Sequence, residues 1–226
     1  MFKNEKPFEI IMFGPPASGK GTQAKLLSNT FQIPHVSTGD ILRNIKADKS
    51  NPMSQEIANL IDNGILVSDE MVTKMVINRT ANEDCSHGYI LDGYPRTIEQ
   101  VESLEKMAGI DYVFLVDVAD EVVIDRISGR RMCKNGHTWH IKYSPTKEDG
   151  ICDTCGEPLF IRDDDNEEKI KERLKTYHDN TDPILNFYKE KGKLIRINGN
   201  QHIEGVFQQI VKELVDDLRK QIEVKE

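Results

Sequence analysis

One stretch, Gly14-Pro15-Pro16-Ala17-Ser18-Gly19-Lys20-Gly21-Thr22, restricts what this chain can fold into more than any other. A short apolar run, Glu9-Ile10-Ile11-Met12-Phe13, feeds into it, and a helical pattern from Lys20 to Phe31 leaves it. Strand, glycine-bounded loop, lysine and helix together make a phosphate cradle. The loop turns backbone N–H groups inward, and the helix adds the positive end of its dipole. Glycine is needed where a Cβ would collide with phosphate or where φ must be positive. Lys20 adds a full charge on a flexible stem that reaches the outer phosphates. The Gly-x-x-x-x-Gly-Lys spacing fits the P-loop, although Gly21 precedes Thr22 where Ser or Thr ordinarily follows the lysine directly.

A chain of 226 residues with 38% hydrophobic and 30% charged residues can bury one substantial core and carry an inserted subdomain. No segment approaches the roughly 18 apolar residues of a membrane span. Met1 to Pro7 is short and mixed in charge, unlike a signal or transit peptide, so a cytoplasmic address is expected. A net charge of −8 argues against a surface that holds nucleic acid nonspecifically. Anionic substrates must then be gathered by local clusters of arginine and lysine.

Five β-rich runs punctuate the chain: Glu9–Phe13, His35–Ser37, Tyr89–Leu91, Tyr112–Val118 and Leu194–Ile197. Runs such as Tyr112-Val113-Phe114-Leu115-Val116 lack alternation and suit strands covered on both faces. With helical patterns between them, they predict an α/β fold built on a five-stranded parallel sheet flanked by helices. Ligands bind beyond the carboxyl ends of such strands. Ser37-Thr38-Gly39-Asp40-Ile41-Leu42-Arg43 lies at the second of those ends, and Leu91-Asp92-Gly93-Tyr94-Pro95-Arg96-Thr97 at the third. Thr38 to Asp40 reads as a turn that opens a helix, with Arg43 one turn in. Asp92 is placed to hold a Mg²⁺-coordinated water beside a triphosphate. Gly93 and Pro95 turn Arg96 toward the same cleft, and the Gln100 amide is placed to read a base edge. Pro52 to Gly64, Pro183 to Lys191 and Ile203 to about Lys220 read as further helices, and Ser68 as an N-cap.

Arg126 and Arg130 are spaced i, i+4, which predicts one shared helix face, with Arg131, Arg162 and Arg173 following. Between them, Met132 to Phe160 breaks the α/β rhythm and holds three of the four cysteines. Cys152-Asp153-Thr154-Cys155-Gly156 is a knuckle able to put two thiolates on one tetrahedral ion, and Cys133 supplies a third. His137 closes a local Cys-x3-His knuckle as fourth ligand, and His140 is the alternative. The insert is too small to bury a core, so a structural Zn²⁺ is expected to hold it together. Cys85 stands alone and reads as a packing residue.

Assembled in order, these segments resemble adenylate kinase in its long-lid, metal-binding form, over essentially the whole chain. The resemblance rests on the loop from Gly14 to Gln23, the Ser37–Arg43 and Leu91–Thr97 segments with Gln100, Gly129-Arg130-Arg131, Arg162-Asp163-Asp164-Asp165 and Arg173. It implies a P-loop core of residues 1–36, 67–128 and 166–226, an AMP-binding helical arm of residues 37–66, and a zinc-binding lid of residues 129–165. It implies reversible phosphoryl transfer from Mg-ATP to AMP. Ala17, Ser18, Gly19, Lys20, Gly21, Thr22, Arg126, Arg130, Thr138, Trp139 and Gln201 would hold the donor. Thr38, Arg43, Ile65, Leu66, Val67, Gly93, Tyr94, Pro95, Arg96, Gln100, Arg162 and Arg173 would hold AMP. Lys20, Asp92, Arg96, Arg130, Arg162 and Arg173 would serve the chemistry. A monomer acting on ATP and AMP, with no membrane or nucleic-acid partner, is implied. Two features depart from the family pattern. Ala17 stands where Gly is usual, and Gly136-His137 stand where the first knuckle usually carries its second cysteine. The alternative activities are phosphotransfer with another nucleotide pair (GTP:AMP or UMP/CMP) and a sensor that binds nucleotide without turnover.

Overall fold

Strand β1 (Phe8–Phe13) lies at the centre of a five-stranded parallel sheet. The computed structural model describes residues 8–63, 65, 67–162 and 165–223. Strands β2 (His35–Ser37), β3 (Gly88–Asp92), β4 (Tyr112–Asp117) and β7 (Leu194–Asn198) complete the sheet in the order β2-β3-β1-β4-β7. The chain leaves β1 toward one side of the sheet and later returns to its other side at β4. The carboxyl end of β1 is therefore the switch point where a ligand is expected in such a sheet.

Every strand that flanks β1 is covered on both faces, which explains the missing apolar/polar alternation. Ile11, Phe13, Leu91, Val113 and Leu115 point into one core with Ile57, Val76, Val101, Leu104 and Tyr188. Their neighbours Ile10, Met12, Ile90, Phe114 and Val116 point into the other, with Leu27, Val123, Ile170 and Ile210. Helices α2 (Thr38–Ala47), α3 (Ser54–Asp62), α4 (Asp69–Thr80) and α5 (Ile98–Met107) serve the first core. Helices α1 (Lys20–Phe31), α6 (Asp120–Ser128) and α8 (Ile203–Glu223) serve the second. Ser37 and Ser68 cap α2 and α4 by accepting from the backbone N–H groups of Asp40 and Met71.

Two local expectations fail for identifiable reasons. Helix α7 runs unbroken from Glu167 to Glu190, with Pro183 inside it. The proline lacks the N–H that would bond the carbonyl four residues earlier. The helix continues because Ile170 and Leu174 bury in one core while Ile184, Leu185 and Tyr188 bury in the other. Arg126 and Arg130 also do not share a helix: α6 ends at Ser128, Gly129 follows, and Arg130 opens strand β5 (Arg130–Met132). Strand β5 pairs antiparallel with β6 (Thr138–His140), a hairpin outside the main sheet. The expected helix stop at Gly64 lies outside the described residues. No described helix is long and apolar enough to cross a membrane.

Candidate active site

The loop after β1 opens into a cleft of about 1090 Å³ at the carboxyl edge of the sheet. Gly19 caps α1 with φ +97°, a left-handed geometry that favours glycine. The Ser18 N–H donates to the Pro15 carbonyl (3.1 Å), and the Lys20 Nζ donates to the same oxygen (3.2 Å). The structure places Ala17, Ser18, Gly19, Lys20, Gly21, Thr22, Arg126, Arg130, Thr138, Trp139 and Gln201 on the cleft wall. Arg126 braces the loop by donating to the carbonyls of Ser18 (3.1 Å) and Gly199 (2.8 Å).

Cations crowd this cleft. Lys20, Arg43, Arg96, Arg130, Arg162 and Arg173 all line it. Burial pulls the Lys20 ammonium down to about 8; Asp92 works against that shift, and Arg96, Arg173 and Arg130 reinforce it. Burial also weighs against the Arg96 charge, Asp92 supports it, and Arg43 and Arg162 oppose it, so the net shift is downward. Burial opposes ionisation of Asp92, but the His35 hydrogen bond (3.2 Å) and the Lys20 charge outweigh it and hold the carboxyl below its usual range. Positive charge gathered this closely, in a partly dry space, suits the cleft to an anionic ligand.

At the other end of the cleft, Gly93 (φ +82°) lets the chain pass Thr38, where a Cβ would sit 2.8 Å from Thr38 Oγ1. Arg96 Nε donates to the Gly93 carbonyl (2.8 Å) and Thr38 Oγ1 donates to the same oxygen (2.9 Å). Ile65, Val67, Gly93 and Pro95 line the cleft. Thr38 and Gln100 instead line a side cavity of about 30 Å³ that shares Leu42, Val67, Gly93 and Arg96 with it. Gln100 does not offer a free amide. Its Nε2 donates to Asp69 (2.8 Å) and its Oε1 accepts from the Arg96 N–H (2.7 Å). Tyr94 is not brought to the cleft: it is 1% exposed, and its hydroxyl meets Thr73 (3.0 Å) inside the core. Leu66 lies outside the described residues.

In the insert, Cys133, His137, Cys152 and Cys155 converge, their ligand atoms all within 4.8 Å of one another. Cys133 Sγ lies 3.6 Å from Cys155 Sγ, and His137 Nδ1 lies 3.4 and 3.5 Å from the sulfurs of Cys133 and Cys152. A tetrahedral ion with ordinary Zn–S and Zn–N bonds sets sulfur–sulfur edges of about 3.8 Å and sulfur–nitrogen edges of about 3.6 Å. The cage therefore fits such an ion, and three sulfurs with an imidazole suit Zn²⁺. Burial opposes ionisation of the Cys152 thiol, but N–H groups of Trp139, Thr154 and Cys155 outweigh it and bring it down to about 6. Between the two histidines the geometry decides for His137. His140 Nδ1 accepts from the N–H groups of Lys142 (2.9 Å) and Tyr143 (3.1 Å), so that nitrogen is turned to its own backbone.

A family model described as adenylate kinase matches residues 12–193. An adenylate kinase of Lachnospira eligens is 47% identical over 211 residues, covering 90% of this chain and 98% of its own length. One of Clostridium perfringens is 44% identical over 217 residues, covering 93% of this chain and 99% of its own. One of Methanococcoides burtonii is 43% identical over 210 residues, covering 91% and 97%. The chain belongs to the adenylate kinase family.

Two residues of the site stand out only in three dimensions. His35, at the start of β2, bonds Asp92 on the neighbouring strand. Asp165, its side chain fully buried, accepts from Arg130 Nε (2.8 Å) and a terminal nitrogen of Arg130, and from Arg173 (3.5 Å). Asp165 ends the acidic run Asp163-Asp164-Asp165, and nothing in that sequence distinguishes it from its neighbours. Ala17 adopts φ +54° in the phosphate loop, a conformation an L-residue reaches only with strain. That strain is roughly 1–2 kcal/mol, partly offset by the entropy a glycine would lose on folding. Ala17→Gly is therefore expected to gain about 1 kcal/mol, seen as a rise of about 2–4 °C in a thermal melt; a fall in Tm would contradict it.

Proposed function

We propose that this enzyme transfers the terminal phosphoryl group of Mg-ATP to AMP, reversibly, yielding two ADP, and so balances the adenine nucleotides. The observation that carries the reading is the convergence of Lys20, Arg96, Arg130, Arg162 and Arg173 with Asp92 on one cleft at the switch point of the sheet. The phosphate of AMP is already a nucleophile, so no strong general base is needed. The protein has to align two polyanions in line and neutralise the charge that builds up between them.

In this reading the loop from Ala17 to Thr22 holds the donor phosphates through its N–H groups, and Lys20 neutralises the transferring group. Arg126, Thr138, Trp139 and Gln201 flank the donor nucleoside. Arg43 and Arg96 hold the AMP phosphate, Ile65 and Val67 pack beside its base, and Thr38 and Gln100 meet it once the side cavity opens and Gln100 leaves Asp69. Arg130, Arg162 and Arg173 surround the reacting phosphates. Mg²⁺ bound with ATP would supply further charge neutralisation, and Asp92, held ionised beside Lys20, is the group that would hold its water. Residues 37–66 act as the AMP arm and residues 129–165 as a lid held by Zn²⁺, which together exclude the water that would otherwise hydrolyse ATP. Free, clustered cysteines fit a reducing, cytoplasmic setting.

Asp165 then acts through the arginines it pins. Asp165→Asn is expected to lower kcat by about 10²-fold, the scale of a misplaced catalytic group, with KM for either nucleotide changed far less. Unchanged kcat would remove Asp165 from the account. The pairing of substrates is tested by offering ATP, GTP, CTP and UTP against AMP, GMP, CMP and UMP. ATP with AMP should give the highest kcat/KM, and a higher value for any other pair would overturn the assignment.

A further inference from the structure

Trp139 is the middle residue of β6, paired with Arg131 across the hairpin. Its indole Nε1–H donates to Cys152 Sγ at 3.3 Å, and Cys152 is one corner of the cysteine–histidine cage. The same residue lines the nucleotide cleft, as do Thr138 and His140 on either side of it. An indole N–H is a donor only, so the ring is held by whatever acceptor Cys152 presents. A sulfur bound to an ion shared with three other ligands is held at one point, whereas without the ion the cysteine side chain can rotate and carry the acceptor away from the indole. One residue thus touches the cage with its indole N–H and also belongs to the cleft wall.

We infer that Trp139 is a positioning residue that couples occupancy of the Cys133–His137–Cys152–Cys155 cage to binding of the donor nucleotide. The inference rests on the reading of the cleft as a donor site. With the ion in place, the Cys152 sulfur fixes the indole and shapes the wall against which the donor packs. Without it, the indole loses its anchor and the wall loosens. Linkage makes the effect reciprocal: a donor nucleotide that prefers the ordered wall must also tighten the cage on its ion.

The chain has one tryptophan, so its emission reports on this position alone. Zinc-loaded protein is challenged with a chromogenic chelator, with and without a non-hydrolysable imido analogue of ATP, while metal release and tryptophan emission are followed together. In the wild type the analogue should slow metal release by about tenfold, within the usual range of coupling between sites, and emission should change at the rate of metal loss. Trp139→Phe keeps a ring and removes the N–H. It should release metal about tenfold faster, as expected for loss of an outer-shell hydrogen bond, and the analogue should protect it little. An analogue that binds the wild type but leaves metal release unchanged overturns the inference and spares the donor site. An analogue that does not bind at all overturns both. If the variant does not fold, the wild type decides: emission that stays constant while metal leaves overturns the inference.

Discussion

Lys20→Met is expected to lower kcat for ATP with AMP by about 10³-fold, the scale of removing one preorganised charge-stabilising group. The same variant, free of nucleotide, should melt no lower than the wild type. Both expectations follow from the surroundings of Lys20. Its ammonium is buried among Arg96, Arg173 and Arg130, with Asp92 as the opposing carboxylate, and it is pulled from 10.5 down to about 8. Burial makes that charge costly to the fold, and the phosphates proposed to bind beside it would turn the cost into an attraction. The pH dependence has the sign opposite to that of a salt-bridged lysine. Between about pH 8 and 10.5 the unfolded chain binds this proton and the folded chain does not. In that window the group makes the nucleotide-free protein more stable as pH rises. Activity runs the other way: kcat/KM falls as pH rises through about 8, because the free enzyme loses the cation that receives the phosphates. Normal turnover in Lys20→Met, or its melting well below the wild type, contradicts this account.

Stripping the proposed metal from the cysteine–histidine cage is expected to unfold the insert before the sheet. Beyond the cage, the hairpin of β5 and β6 has little to bury: Ile141, Tyr143, Phe160 and Ile161 are all about half exposed or more, at 57, 52, 47 and 54%. Metal binding in small structural sites of this kind is worth about 10–16 kcal/mol in isolated peptides at pH 7, so its loss removes most of what orders the segment. The sheet carries its own two cores and does not depend on the ion. Calorimetry after chelation should therefore show a new low-temperature transition ahead of the main one. Limited proteolysis should cut first between Cys133 and Phe160. Phosphoryl transfer should fall while nucleotide-free residues of the sheet keep their hydrogen-exchange protection. A single transition at the original temperature contradicts the structural role given to the ion.

The sheet was legible because its chemistry is local. Tyr112 to Val116 is apolar without alternation, and a strand buried on both faces has to look that way. The phosphate loop was legible for a similar reason, since its glycines and lysine act at fixed offsets from one strand and one helix. What escaped the sequence depends on partners far apart in the chain. Gln100 reads as a free amide until Asp69 is placed beside it to accept from its Nε2, and His35 reads as a strand residue until β2 is set against β3. Pro183 looks like the start of a helix, because the burial that carries α7 through it belongs to two different cores. The i, i+4 spacing of Arg126 and Arg130 suggested a shared helix face, but Gly129 ends α6 between them. Spacing favours His137 over His140 because a Cys-x3-His knuckle closes locally, and the fold sets His137 beside the three sulfurs while His140 Nδ1 faces its own backbone. Tyr94 sits among cleft residues in the chain yet packs inward, because the turn at Gly93 and Pro95 presents its neighbours and buries it.

Mixing the purified protein with ATP, AMP and Mg²⁺ and resolving every nucleotide and free phosphate over time puts the whole reading at risk in one experiment. Two ADP should appear for each ATP and AMP consumed, the reverse reaction should run from ADP alone, and inorganic phosphate should stay at background. Phosphate release that does not depend on AMP, or nucleotides left unchanged, would show that these gathered cations do not join two nucleotides in a water-free cleft.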